Sequence, residues 1–318
     1  MSNSLEAGYR PDIITGISVG ALNGGFLASR AGRAIRAGAG RIDWRSVGWD
    51  LVDFWRDRVT GPQAIVERRG ALDLGWRFVR KRWEGLIDTS PLYRLVRCSL
   101  APEDFADNPV ASAFGAVSLE TGQVIYAGTD DPQVIEFIFA STQEPVMMPL
   151  YRIGDQAYYD GGLRDIAPLK RAIELDAEEI VCVACQPAAV EPLPAGFGLG
   201  DPVALIGRVL EIVTNELLNC DLEAVATTNR LLIELGPKLS VLRGKRVIPL
   251  FVVRPNGKLA VEITKFGPVE VAGMVEAGLT RGAERLVEAV NDAEDPGHAI
   301  AVELLGTDRP PTRVRPAA

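Results

Sequence analysis

The sequence predicts an α/β fold with a mainly parallel central sheet and helices on both faces of that sheet. The prediction rests on apolar runs typical of buried strands, which alternate along the chain with longer helical patterns. The alternating segments are a strand at Ile13–Ile14 before a helix at 19–36, a helix at 168–176 before a strand at 179–184, and a strand at 246–253 before a helix at 269–290. Alternation of this kind implies parallel strands.

The length and composition fit one large globular domain. The chain has 318 residues, of which 47% are hydrophobic, a range typical of globular proteins. We predict a single α/β domain over residues 1–290 with a helical insert at about 40–100. The insert region holds all five tryptophans. Residues 291–318, which are rich in proline and charge, are predicted to form a flexible C-terminal tail.

The charge balance excludes some function classes. With 34 basic and 42 acidic side chains the net charge is −8, which argues against a general nucleic-acid binder. The sequence has neither a run of ~18 apolar residues nor an N-terminal basic segment followed by an apolar one. These features predict a cytoplasmic protein, and peripheral membrane contact stays open. The sequence does not indicate an oligomeric state.

The segment Gly16-Ile17-Ser18-Val19-Gly20 is a candidate nucleophile elbow. It has the G-x-S-x-G pattern and lies between a predicted strand and a predicted helix, which is the context that this turn requires. Gly16 and Gly20 supply small size and backbone freedom. The backbone N–H of Val19, at the start of the helix, is free to act as one oxyanion donor. The alternative is a tight turn with a purely structural role.

A nucleophilic serine needs a base, and the chain has one histidine, His298. An α/β-hydrolase would place several strands before its serine, whereas 17 residues precede Ser18. His298 is therefore predicted to be a solvated tail residue, and the base to be a carboxylate. The candidate is Asp160, at the end of a predicted strand, because an aspartate can take the serine proton directly. The alternative is an ordinary Asp-Gly turn.

Together these motifs resemble the patatin-like phospholipases over about residues 5–190. The serine motif with Ala21-Leu22-Asn23 resembles the nucleophile segment of that family, and Asp160-Gly161-Gly162 resembles its catalytic Asp-Gly-Gly/Ala. Weaker likenesses lie at 140–145, 148–150 and 163–169. The resemblance implies a three-layer architecture and a dyad of Ser18 and Asp160. It implies no catalytic histidine and no metal or organic cofactor.

One expected motif of that family has no counterpart in the sequence. Patatin-like proteins carry a Gly-Gly-Gly-x-Arg/Lys-Gly loop whose N–H groups form the oxyanion hole. Here Leu5–Asp12 resembles the end of the helix that follows this loop, and only Met1–Ser4 precede it. Losing one oxyanion donor typically costs about 10²–10³ in rate. The expectation is therefore either a gene start placed too late or a degenerate member with little activity.

The resemblance predicts a serine acyl hydrolase that acts on phospholipid or other lipid acyl esters. The alternative is a catalytically weak or inactive lipid-binding or regulatory protein. An acyltransferase with a G-H-S-x-G motif ranks last, because Ile17 stands where its histidine would be. Met147 and Met148 are candidates for lining an acyl pocket. Packing of both methionines into the core is the alternative.

Overall fold

The computed structural model describes residues 10–70, 75–76, 79–80, 84–193, 196, 198, 200–236, 242–259, 265–293, 299–302 and 312–314. Contacts divide the chain into two compact units. The first comprises residues 1–171 and 260–276, and the second comprises residues 172–259 and 277–318. The prediction of one domain over residues 1–290 concerns folding, which this division does not test, and it stays a prediction.

The first unit holds a five-stranded sheet with helices. Its strands are β1 (Ile13–Gly16), β4 (Ala111–Ser118), β5 (Val124–Gly128), β6 (Tyr151–Ile153) and β7 (Gln156–Asp160). A separate hairpin consists of β2 (Glu67–Arg68) and β3 (Ile87–Asp88). The helices are α1 (Val19–Arg36), α2 (Trp44–Asp53, continued by a π-helical turn at Phe54–Arg58), α3 (Ser90–Ser99) and α4 (Val134–Ala140). Helix α5 (Leu169–Glu174) follows them.

Strand β4 is the centre of the sheet. Its residues 113–117 pair with β5, and its other edge is shared by β1 over residues 111–114 and by β7 over residues 116–118. Gly16 of β1 pairs with Phe114, and Asp160 of β7 pairs with Ala116. The carboxyl ends of β1 and β7 therefore meet along one edge of β4. This arrangement brings the residues that follow Gly16 next to Asp160.

The α/β class predicted from the sequence is confirmed, while the strand directions are mixed. Strands β1 and β4, which are connected by helices, pair in parallel. The pairs β4–β5, β4–β7 and β6–β7 are antiparallel. The connections at 119–123 and 154–155 are too short for a parallel crossover, which needs a dozen or more residues. The antiparallel hairpins thus follow from loop length.

Helix α1 packs closely on the sheet and is the centre of the apolar core. Phe26 and Leu27 are fully buried in it, together with Phe114 of β4 and Ile138 of α4. A Cβ atom at Gly24 would lie 2.8 Å from Ile14 Cγ2, so a small residue is required where the helix approaches β1. The predicted helix at 19–36 is found with those bounds.

The insert between α1 and β4 contacts the start of α1. Trp55, in the π-helical turn, donates a hydrogen bond from Nε1 to Asn23 Oδ1 at 2.8 Å. The N-cap of α3 is Thr89, and a proline lies in the first turn of this helix. Apolar residues in the sequence at 71–84 are spaced as in an amphipathic helix, but most of this segment falls outside the described residues. The described residues at 75–76 and 79–80 include helical turns.

The second unit contains β8 (Ile180–Val183), α6 (Pro202–Leu235) and β9 (Leu250–Val253). Residues 277–293 of helix α7 (Pro268–Ala293) and strands β10 (Ala299–Val302) and β11 (Thr312–Val314) also belong to this unit. Strand β8 pairs with β9 in parallel. Helix α6 continues through Asn219 without a break. Asn219 does not interrupt the helix, because its Nδ2 donates to Ala188 O at 3.1 Å and its Oδ1 accepts from Arg254.

The C-terminal segment contains the pair β10–β11, and the predicted flexibility of residues 291–318 stays a prediction. His298 lies outside the described residues, so its predicted place in a solvated tail also stays a prediction. Within the described ranges, no helix combines the length and apolar character needed to cross a membrane.

Candidate active site

Ser18 lies in the sharp turn between β1 and α1, with φ 55° and ψ −130°. A positive φ is unfavourable for a residue with a side chain and is typical of strained functional sites. The turn is closed by hydrogen bonds from Gly20 N–H to Ile17 O at 2.8 Å and from Ala21 N–H to Ser18 O at 2.9 Å. This is the conformation expected for a nucleophile elbow, and it leaves the Ser18 side chain partly exposed.

The two glycines of the G-x-S-x-G motif differ in their surroundings. A Cβ atom at Gly16 would lie 2.3 Å from Gly20 O and 2.7 Å from Ala21 N, so the backbone itself excludes any side chain there. At Gly20, a Cβ atom would meet no described atom within 4 Å. Close approach of strand and helix therefore explains Gly16 and does not explain Gly20.

Asp160 ends β7 with its side chain buried beside Ser18. Its Oδ1 accepts a hydrogen bond from Gly162 N–H at 2.8 Å. Burial raises the pKa of its carboxyl group from 3.8 to about 7, although hydrogen bonds with the Ser18 hydroxyl and the Gly162 N–H lower it. The carboxyl group of Glu144 raises this pKa further. The geometry thus joins a serine hydroxyl to a carboxylate that titrates near neutral pH.

The Asp-Gly-Gly turn is tightly enclosed at its first glycine. A Cβ atom at Gly161 would lie 2.6 Å from Gly115 O and 2.6 Å from Ile17 Cδ1. At Gly162 the near atoms are the end of the Ile166 side chain at 2.7 Å and Asp160 Oδ1 at 3.2 Å. Gly161 is therefore required for packing against β4, and the N–H of Gly162 orients the carboxylate.

The N–H of Val19 is available as an oxyanion donor. It belongs to the first residue of α1, and no acceptor for it lies among the described residues. The N–H groups of Gly20 and Ala21 already donate within the turn. The partial positive charge at the start of a helix favours negative charge at this position.

Two buried residues that follow α4 contact the backbone of this site and were not predicted as site residues. Ser141 Oγ accepts from Ser18 N–H at 2.8 Å, and Gln143 O accepts from Asp160 N–H at 2.9 Å. Both side chains are fully buried. In the sequence, these residues stand out only as polar positions directly after an apolar helix. That pattern indicates buried hydrogen-bonding groups only when the fold is known.

Glu144 is a second carboxylate close to Asp160. Its side chain is partly buried, and burial raises its pKa. Its carboxyl group has no hydrogen-bond or ion-pair partner among the described residues, and its charge acts on Asp160. In the sequence, this position is indicated only by the weak family likeness at 140–145.

The two methionines predicted to bind substrate have different environments. Met148 is buried in a small apolar cluster with Val66 and Ile87 of the insert. Met147 is half-buried at the edge of that cluster, and its carbonyl accepts from Leu86 N–H at 2.8 Å and Ile87 N–H at 3.0 Å. This packing favours the core interpretation for Met148. Met147 has the side chain that is open to contact with a substrate.

The described residues contain no group of three or more His, Cys, Asp or Glu side chains placed to hold a metal ion. The four cysteines are free thiols. Cys182 is buried in β8, and burial raises its pKa to about 12. The Cys182 thiol is therefore protonated near neutral pH, a state that is neither nucleophilic nor metal-binding.

Comparison with known proteins places these motifs in a family. The family model described as "Patatin-like phospholipase" matches residues 3–173, more than half of the 318 residues. The chain belongs to the patatin-like phospholipase family. The matched range contains both Ser18 and Asp160, and membership associates this patatin-like chain with lipid acyl hydrolases in general.

Two further comparisons do not extend this family assignment. No curated protein sequence matches the chain. The crystal structure of VipD from Legionella pneumophila matches with a TM-score of 0.38 and 14% identity, over 90% of this chain and 63% of VipD. The chain thus spans less than two thirds of that structure's length.

Proposed function

We propose that this patatin-like protein is a serine acyl hydrolase that cleaves phospholipid or other lipid acyl esters. Ser18 is the nucleophile and Asp160 is the base. The observation that carries the proposal is the position of Ser18, at a positive φ in the turn after β1, next to the buried Asp160 carboxyl group. The Ser18 hydroxyl interacts with this carboxyl group, whose pKa burial raises to about 7. A base with a pKa near the working pH is efficient in both directions of proton transfer.

The reaction has two proton transfers through one carboxylate. Ser18 Oγ attacks the ester carbonyl carbon while its proton passes to Asp160, and Val19 N–H donates to the developing oxyanion. Protonated Asp160 then gives the proton to the leaving alcohol oxygen, which leaves an acyl group on Ser18. In deacylation Asp160 takes a proton from water, the water oxygen attacks the acyl carbon, and the fatty acid departs as Ser18 regains its proton.

A second candidate is a catalytically weak or inactive patatin-like protein that binds lipid. The observation in its favour is the small number of oxyanion donors in the turn. Gly20 N–H and Ala21 N–H are both engaged, which leaves Val19 N–H as the donor from the first turn of α1. A cytoplasmic location with peripheral membrane contact is a prediction under either candidate.

Hydrolysis of lipid esters tests the proposal against this alternative. Purified protein is assayed on p-nitrophenyl acyl esters and on phosphatidylcholine vesicles, beside Ser18→Ala and Asp160→Asn. We expect release of fatty acid by the wild type and a fall of at least about 10³-fold in both variants. Vesicle binding without hydrolysis, equal in all three proteins, would instead support the lipid-binding candidate.

A further inference from the structure

A three-residue segment after α4, Ser141–Gln143, contacts the backbone of both dyad residues. Ser141 Oγ accepts the Ser18 N–H at 2.8 Å, and Gln143 O accepts the Asp160 N–H at 2.9 Å. Ser18 follows β1 whereas Asp160 ends β7, and 123 positions separate Ser141 from Ser18. One short segment therefore fixes two distant parts of the chain with respect to each other.

The Ser141 contact acts where the backbone is strained. Ser18 has φ 55°, a conformation that persists only when surrounding contacts impose it. The Ser18 N–H would otherwise point into a buried region without an acceptor, because Ser141 itself is fully buried. A buried donor without a partner is unfavourable, and the backbone relaxes when an alternative exists. The Ser141 hydroxyl thus stabilises the orientation in which Ser18 faces Asp160.

The Gln143 contact is supported by a buried network. Gln143 Oε1 accepts from Thr89 Oγ1 at 2.9 Å, and its Nε2 donates to Phe139 O at 3.2 Å and to Thr142 Oγ1 at 3.1 Å. Thr89 is the N-cap residue of α3 in the insert. Both polar atoms of the Gln143 side chain are therefore hydrogen-bonded. These bonds fix the position of its backbone carbonyl group, which accepts the Asp160 N–H.

We propose that Ser141 and Gln143 are positioning residues of the acyl hydrolase, which hold the Ser18–Asp160 pair at hydrogen-bonding distance. The inference rests on the proposed function, because it assumes that the pair is a catalytic dyad. Neither residue takes part in proton transfer. Thr89 connects the insert to this arrangement through Gln143.

Substitutions of Ser141 test the first contact. Ser141→Ala removes the acceptor, Ser141→Cys replaces it by a poor one of similar size, and Ser141→Thr keeps a hydroxyl. We expect kcat for p-nitrophenyl ester hydrolysis to fall about 10–100-fold in the first two variants, with KM within about twofold, since only orientation is lost. The Thr variant should recover activity to within about threefold of wild type.

Ser112→Ala is the matched control, because Ser112 is also buried and its Oγ has no hydrogen-bond partner among the described residues. It should retain wild-type kcat. Equal kcat in Ser141→Ala and Ser112→Ala would overturn the proposal. Thermal unfolding of every variant identifies any that do not fold.

Hydrogen exchange of the Ser18 amide separates failure of this inference from failure of the proposed function. The measurement needs no catalysis. In the full-length protein we expect the Ser18 amide to exchange at least about tenfold faster in Ser141→Ala than in wild type, with no change in Ser112→Ala. Unchanged exchange would refute the Ser141 contact even if the enzyme is active. Faster exchange in a protein without esterase activity would support the contact and refute the hydrolase.

Thr89 offers a test of the second contact. Thr89→Val keeps the shape and removes the hydroxyl that holds Gln143, whereas Thr89→Ser keeps the hydroxyl. We expect kcat to fall about 3–10-fold in the Val variant with KM unchanged, and to be close to wild type in the Ser variant. Wild-type kcat in Thr89→Val, or equal losses in both variants, would show that this network does not position Asp160.

Discussion

Asp160→Asn should stabilise the protein, and more so at high pH. The pKa of this carboxyl group is raised from 3.8 to about 7 because it is buried. A carboxyl group with a raised folded-state pKa holds its proton more tightly in the folded state. The free energy of unfolding therefore falls as the pH rises from 3.8 to 7 and is constant above that range. Asparagine does not ionise, so the free energy of unfolding of Asp160→Asn does not fall for this reason.

The magnitude follows from the two pKa values. Each pKa unit is worth about 1.4 kcal/mol, so ionising Asp160 costs the folded state at most about 4 kcal/mol above pH 7, and about 2 kcal/mol at pH 5. The stability difference between Asp160→Asn and wild type should grow by roughly 2–3 kcal/mol between pH 5 and pH 8. Other effects of asparagine do not depend on pH and cancel in this comparison.

Urea denaturation followed by tryptophan fluorescence at pH 5 and pH 8 measures this difference. Ser18→Ala is a useful companion, because the Ser18 hydroxyl lowers the pKa of Asp160. Its removal should raise that pKa and steepen the pH dependence. A stability difference between Asp160→Asn and wild type that is the same at both pH values would refute the assignment of a raised pKa to Asp160.

Three other predictions follow from the packing and charges of the site. Gly16→Ala should abolish esterase activity and lower the melting temperature, because its Cβ would clash with the backbone. Gly20→Ala should keep the activity and the melting temperature of the wild type. Equal effects of the two substitutions would contradict the packing argument. Glu144→Gln should move the acidic limb of the kcat/KM profile to lower pH, because Glu144 raises the pKa of Asp160; an unmoved limb would exclude this coupling. Asp104→Asn should cost about 1–3 kcal/mol of unfolding free energy at pH 7, since the Asp104 carboxylate accepts from Ser29 Oγ at 2.7 Å and from Arg33 Nη2 at 2.7 Å. The pKa of that carboxyl is lowered from 3.8, so its contribution declines as the pH falls from 3.8 through the lower folded-state pKa. A cost that grows as the pH falls would contradict the sign.

The elbow could be predicted from the sequence because its constraints are local. An apolar strand, a glycine that must admit a backbone, a serine and a helix start occur within a dozen residues. The fold class was predictable for a similar reason, since alternation of strand and helix is visible along the chain. The place of Asp160 beside Ser18 depended on resemblance, because 142 positions separate them and no local pattern indicates their contact.

The remaining features depend on tertiary register. Ser141 contacts Ser18 because α4 ends close to the place where the carboxyl ends of β1 and β7 meet. The order of the elements along the chain does not reveal this proximity. Met148 belongs to the core because the β2–β3 hairpin of the insert covers it. Gly20 matches the motif although the described surroundings leave space for a side chain. A glycine can therefore match the motif without being required by the packing around it.

The most direct test of the central claim is labelling by a fluorescent fluorophosphonate, with the modified residue identified by mass spectrometry. The account predicts one adduct, on Ser18, in the wild type. It predicts loss of labelling in both Ser18→Ala and Asp160→Asn while the two variants remain folded. A folded wild type that takes no label, or a label on another serine that survives both substitutions, would contradict the assignment of Ser18 and Asp160 as a catalytic dyad.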